Sequence, residues 1–471
     1  MTQFRAAILF LLLAMLPATS PGAQDHSQFI TGPFKTGPDV TKACLQCHQD
    51  QAKAFMKTVH WTWSSRQKEP ARGEVKLGKI NAVNNFCIAL PSNEPRCTSC
   101  HAGYGWKDAS FDFTKAENID CLVCHDGSGT YRKYPTAAGH PAYEDAEWPL
   151  KSGKKWPKVD LEKAAKSVGK PTRQNCGACH FFAGGGDHVK HGDLDSSLIK
   201  PNRSMDVHMA VDGANLTCVS CHQTKDHVIP GKALSVSVSA SGTTLACSTC
   251  HAGKPHSNER VNLHMDKVAC QTCHIPTFAR TLPTKVWWDW STAGQDKVPP
   301  KDIYGLDTYD KMKGDFKWGK DVQPVYLWFD GNVDRVLMGQ KIDPSTVVHL
   351  NYPQGKRDAG AKITPFKVMR GRQPYDSGNN VIAVPHVFGK DGYWQTYNWG
   401  TSIATGMKIA GVPYSGKYGW VETDMHWRVN HMVTPKAQAL KCEGCHGDEG
   451  RLNWKALGYR DDPRELAKRR R

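Results

Sequence analysis

The chain has 471 residues, 61 Lys and Arg against 45 Asp and Glu, a formal net charge of +16, 17 cysteines and 21 histidines. One apolar run lies at the N-terminus and no other stretch reaches membrane-spanning length, which excludes a multispan membrane protein. The charge alone would suit a nucleic-acid binder, but the cysteine pattern described below removes that reading.

In chain order, residues 1–23 come first. "MTQFRAAILFLLLAMLPATSPGA" has a basic start, an apolar run from Ala6 to Leu16 and small residues up to Ala23. It reads as a signal peptide cleaved near Ala23, leaving no stable membrane anchor. The mature protein is then expected to be exported, in a bacterium to the periplasm.

Residues 24–274 carry seven C-x-x-C-H motifs: Cys44-Cys47-His48, Cys97-Cys100-His101, Cys121-Cys124-His125, Cys176-Cys179-His180, Cys218-Cys221-His222, Cys247-Cys250-His251 and Cys270-Cys273-His274. The eighth, Cys442-Cys445-His446, falls in residues 436–471, which end in the basic tail "ELAKRRR". Two thiols three residues apart lie along one edge of a helical turn and can both add to porphyrin vinyl groups, and the next residue lies under the iron. Zinc has no need of a histidine after every pair, and a disulfide framework would not repeat this spacing. The cofactors read from the chain are therefore eight covalently bound haem c groups. Their sixteen propionates largely offset the basic excess, and nucleic acid is not an expected partner.

Residues 275–435 are haem-poor and rich in Gly, Pro and Trp. They are expected to wrap the haem stack, with strands such as "VQPVYLWF" and with Trp287, Trp288 and Trp290 packed on haem or core. Gly184 to Gly186 in "FAGGGDHVKHGD" suit close backbone approach to a haem. The expected fold is mainly α with much irregular loop and few short strands: a multihaem cytochrome c built around eight haems, as one compact unit.

Thirteen histidines lie outside the motifs. His60, His191, His208, His227, His256, His264 and His431 sit near motifs and are the expected second axial ligands. His188 is the alternative to His191, and His26, His140, His349, His386 and His426 remain. His227 and His256 follow a motif histidine by five residues, barely enough chain to pass around a porphyrin edge at ~3.3–3.6 Å per residue, so they should cap neighbouring haems. Cys87 is the one cysteine outside the motifs.

The stretches "NNFCIALPSNEPRCTSCHAGYGW", "NIDCLVCHDGSGTYRKYPTAAG", "VGKPTRQNCGACHFFAGGGDHVKHGDLD" and "VNHMVTPKAQALKCEGCHG" resemble the octahaem tetrathionate reductase family, a relative of pentahaem nitrite reductases and octahaem hydroxylamine oxidoreductase. The resemblance implies seven bis-histidine haems and a catalytic second haem at Cys97-Cys100-His101 with a lysine as axial ligand. It places Cys87 in the pocket of that haem. Lys170 in "VGKPTRQNCG" is the first candidate for the lysine and Lys133 in "TYRKYP" the second, since no C-x-x-C-K motif settles the choice. The implied substrates are small: tetrathionate, nitrite or hydroxylamine. The electrons would come from a periplasmic or membrane-bound donor. Relatives also bind calcium, which no motif of this chain places. The competing reading is an electron carrier in which all eight haems are bis-histidine.

Overall fold

The computed structural model describes residues 25–69, 72–150, 152–231, 245–357 and 360–468. The proposed signal peptide lies outside them. Among the described residues no helix is long and apolar enough to cross a membrane.

Helices are short because each C-x-x-C-H unit needs only a single turn before the chain must bend around a porphyrin. Arg173–His180, which carries Cys176, Cys179 and His180, is typical. Thr172 and Asn175 form a reciprocal capping box at its start, satisfying backbone N–H groups that lack helical partners. The longest described helix, Trp399–Ile409, lies in the haem-poor segment and is capped by Asn398.

The strands in chain order are β1 (Ser64–Glu69), β2 (Gly73–Gly78), β3 (Ala146–Glu147), β4 (Lys155–Trp156), β5 (Thr284–Asp289), β6 (Tyr309–Asp310), β7 (Gly314–Gly319), β8 (Val325–Phe329), β9 (Val333–Arg335), β10 (Val348–Pro353), β11 (Lys362–Asp376), β12 (Val381–Ile382) and β13 (Tyr418–Arg428). The first four make two small antiparallel pairs. The other nine join one sheet in the order β6-β7-β5-β11-β13-β10-β9, with β8 and β12 also on β11. The expected strand "VQPVYLWF" supplies β8. Aromatic and β-branched residues favour this pleated, half-buried surface.

The 15-residue β11 pairs antiparallel with β13 over Phe366↔Arg428 to Asp376↔Tyr418 and parallel with β5. It is buried almost throughout, as a strand covered on both faces must be. Met369, Met425, Trp427, Trp288 and Trp290 pack in one cluster with Val83, Phe86 and Ile88. The sheet therefore backs the segment that carries Cys87. Trp288 and Trp290 stack at 4.8 Å in this core, as expected for packing residues.

Candidate functional site

A cavity of about 3210 Å³ is lined by side chains of the second to seventh motifs. A drug-sized pocket holds about 300–1,000 Å³, so this space suits a stack of large cofactors rather than one small ligand.

The histidines test that fit. Two imidazoles each ~2.0 Å from one iron would have ring centroids ~6.2 Å apart. Six motif histidines face a second histidine at that spacing: His48–His26 at 6.1 Å, His125–His227 at 6.4 Å, His180–His60 at 6.2 Å, His251–His208 at 6.0 Å, His274–His256 at 6.0 Å and His446–His264 at 6.2 Å. His222 has His431 as an electrostatic neighbour, the histidine left to it once the six pairs are made. His349 and His426 are also 6.2 Å apart, but neither belongs to a motif and Asp424 lies within 2.8 Å of His349 Nδ1.

The nitrogens agree. Nδ1 of His125 lies 2.9 Å from Gly169 O, that of His222 2.7 Å from Pro230 O, that of His264 2.8 Å from Arg260 O and that of His446 2.6 Å from an Asp462 oxygen. Such partners hold Nδ1–H and leave Nε2 as the ligand nitrogen. Residues five apart do cap neighbours: His227 follows His222 but faces His125, and His256 follows His251 but faces His274. Two expectations change places. His26 faces His48, whereas the ring of buried His191 packs on Trp427 at 5.3 Å. His188 is turned to the Pro283 carbonyl.

The motifs also form a chain in space. The Cys44 and Cys121 sulfurs are neighbours, as are those of Cys176 and Cys218 and of Cys247 and Cys270. Cys124 neighbours Cys176, Cys221 neighbours Cys250, and Cys273 neighbours Cys445. The order is first, third, fourth, fifth, sixth, seventh, eighth. The second motif joins at the fourth, where Cys100 meets Cys179.

His101 departs from the pattern. Its ring is fully buried against Trp61, Trp63, Trp106, Phe111 and Phe113. Its Nε2 lies 2.7 Å from Trp61 O, and its Nδ1 is buried without a partner. The nitrogen that the other motif histidines keep free is engaged here. Lys133 is the buried amine beside this motif. It lines the cavity and donates to the carbonyls of His101 and Gly103. Its Nζ also lies 3.0 Å from Asp120, with side chains only 5% and 0% exposed. Asp120 in turn accepts from Tyr104 OH at 2.7 Å and Tyr131 OH at 2.8 Å. Lys170 borders the same cavity but is exposed to solvent.

Cys87 sits in a loop gathered by Asn84, whose side-chain oxygen accepts from the N–H groups of Phe86 at 3.1 Å, Cys87 at 2.5 Å and Ile88 at 3.0 Å. An asparagine tying its own following backbone is a known turn device. The loop forces Ile88 to φ +69°, a strained value for a β-branched residue. Burial pushes the Cys87 thiol up, and Lys79, Arg96 and Lys313 oppose that shift. Lys190 is 8% exposed, with Nζ 4.9 Å from the Trp427 ring centroid. Burial and Lys79 bring it down to about 7, while Cys100 and Cys87 pull the other way. Sequence reasoning passed over Asn84, Lys190 and His26. Asn84 sits within the stretch quoted for the resemblance, Lys190 lies between two noted histidines, and His26 has no local signal. Among the described residues no group of three or more His, Cys, Asp or Glu gathers as a separate metal site, so no residue is assigned to calcium.

Paired histidines over a chain of C-x-x-C-H units define a multihaem c-type cytochrome. Residues 285–449 match the family described as "Cytochrome c bacterial" and residues 43–126 match "Cytochrome c554 and c-prime". An uncharacterized protein of Archaeoglobus fulgidus is 27% identical over 252 residues, 43% of this chain and 79% of that one. The crystal structure of octaheme cytochrome c from Shewanella oneidensis is 48% identical with a TM-score of 0.86, covering 94% of this chain and 98% of that one. The chain belongs to the octahaem cytochrome c family, in keeping with its resemblance to the octahaem tetrathionate reductases.

Proposed function

We propose that this electron-transfer cytochrome is a periplasmic reductase of tetrathionate, nitrite or hydroxylamine, acting at the second motif with Lys133 as axial ligand in place of His101. The observation that carries the reading is the His101 ring, whose Nε2 is turned to Trp61 O while the seven other motif histidines have histidine partners. Bound haems would supply electron transfer at seven motifs and the reductive chemistry at the second. Electrons are delivered by a periplasmic or membrane-bound donor.

The chain's own residues account for the rest. An amine must be neutral to bind a metal, and lysine is ordinarily protonated at neutral pH. Asp120 lies 3.0 Å from the Lys133 Nζ, and Tyr104 and Tyr131 hold its carboxylate. Lys190, Lys79 and Arg96 make the pocket attractive to anions. Cys87 suits tetrathionate in particular. Its thiol, on losing its proton to solvent, attacks the central S–S bond, which breaks as a Cys–S–S–SO3 linkage forms and one thiosulfate leaves. Two electrons then restore the thiolate and release the second thiosulfate.

Single-turnover reoxidation of the fully reduced protein tests the reading. At least one of the three substrates should reoxidise it, and Cys87→Ser should slow tetrathionate far more than nitrite. A reduced protein indifferent to all three substrates would show that the chain is a carrier only.

A further inference from the structure

The centre of β11 holds a lysine with no carboxylate in hydrogen-bond reach. Lys367 is 1% exposed, and its amine donates to the carbonyls of Val189 at 3.0 Å and Lys190 at 2.9 Å and to the Thr284 hydroxyl. Thr284, on β5, donates in turn to the His188 carbonyl at 2.6 Å. Two adjacent strands thus grip residues 188–190. A third strand acts from beside them: Trp427 of β13 is the register partner of Lys367 and lies under the Lys190 ammonium.

Burying a lysine in a sheet is unfavourable, since burial holds its amine well below the usual lysine range, and an apolar residue would pack a sheet interior at lower cost. A structural tie between segments could use neutral groups. What this lysine contacts is the backbone of the residue whose side chain stands near Cys87 and Cys100. We infer that Lys367 is a positioning residue for the second-haem pocket: from the sheet it fixes the backbone at Val189 and Lys190 and so sets where the Lys190 ammonium stands. The haem-poor segment then has a role beyond wrapping, since its central strand places a pocket cation. The inference rests on the pocket assignment above, and its test does not depend on turnover.

The test is a double-mutant cycle on the holoprotein, read by optical and EPR-monitored redox titration. Lys190→Met removes a positive charge near the haems anchored at Cys100 and His180. Their reduction becomes harder by about ten- to a hundredfold in the equilibrium constant, the effect of one charge about 6 Å away at an effective dielectric of about 20 to 40. Lys367→Met should shift the same haems the same way. Its own charge contributes little, because burial holds its amine well below the usual lysine range. The double variant should shift no further than Lys190→Met. A wild-type titration for Lys367→Met, or a double variant equal to the sum of the singles, overturns the inference. General loosening of the fold would give such a sum, spread over many haems. If Lys367→Met does not assemble eight haems, the uncharged Thr284→Val takes its place in the cycle, with the same expected and overturning results. A protein that reduces none of the proposed substrates still gives this titration, so the two readings fail separately.

Discussion

Replacing Lys133 by Leu removes the proposed axial amine and keeps an apolar side chain that offers the iron no ligand atom. The consequence follows from the count of sites: one haem in eight loses a strong-field ligand. His101 cannot take its place without breaking its 2.7 Å contact with Trp61 O and leaving a five-residue aromatic cage. The ferric EPR spectrum of Lys133→Leu should therefore gain a high-spin or weak-ligand signal integrating to about an eighth of the total haem, with the seven bis-histidine signals unchanged. Stability should fall as well. Asp120 would keep three donors, from Tyr104, Tyr131 and the Val123 N–H at 3.0 Å. The loss should then lie near the lower end of that for breaking a buried pair, about 3 kcal/mol. Lys170→Met should change neither quantity, because Lys170 is exposed. An unchanged spectrum in Lys133→Leu together with an altered one in Lys170→Met would refute the reasoning.

His26→Ala should convert the first haem from bis-histidine to high-spin, whereas His191→Ala should leave seven bis-histidine signals in magnetic circular dichroism; the opposite pattern would reverse the assignment. Lys190 titrates at about 7 because burial and Lys79 disfavour its charge, so anion binding should weaken as pH rises through about 7. Lys190→Met should flatten that dependence of KM. Burial and the neighbouring Asp187 and Asp193 raise Asp195 to about 6, and one of its oxygens is buried without a partner. Folding thus favours the protonated form relative to an unfolded carboxyl near ~3.9. That stabilisation is full below about pH 4 and is lost as pH rises through about 6, a difference of roughly 3 kcal/mol. Asp195→Asn should remove the corresponding fall in thermal midpoint between pH 4 and 6.

The haem scaffold was legible because its chemistry is local. Two thioethers and a ligand within five residues leave a fixed word in the sequence, and all eight words were readable. Second ligands are a different kind of fact. His227 and His256 could be assigned away from their own haems because five residues barely pass a porphyrin edge. His26 could not be assigned at all, since nothing near it in the chain marks it as the partner of His48. The choice between Lys133 and Lys170 was likewise beyond spacing. It turns on burial, on Asp120 and on the rotation of the His101 ring, all of which depend on residues far apart in sequence. The sheet was visible only as scattered Val, Tyr and Trp, because β11 and β13 alternate poorly when both faces are covered.

The haem-poor segment shows why such residues escape a motif search. A motif records what the cofactor demands of a few consecutive residues. The second-haem pocket also demands that Cys87 and Lys190, 103 positions apart, be held against one rigid surface. β11 meets both demands: its Met369 carbonyl accepts from Asn85 at 2.8 Å, beside the Cys87 loop, and its Lys367 grips the Lys190 backbone. The Met369 carbonyl and the Lys367 side chain are two residues apart in one strand, so their spacing is set by its rise per residue. A loop could offer the same groups, but it would not hold two distant segments in fixed relation as the oxidation state of the nearby haems changes.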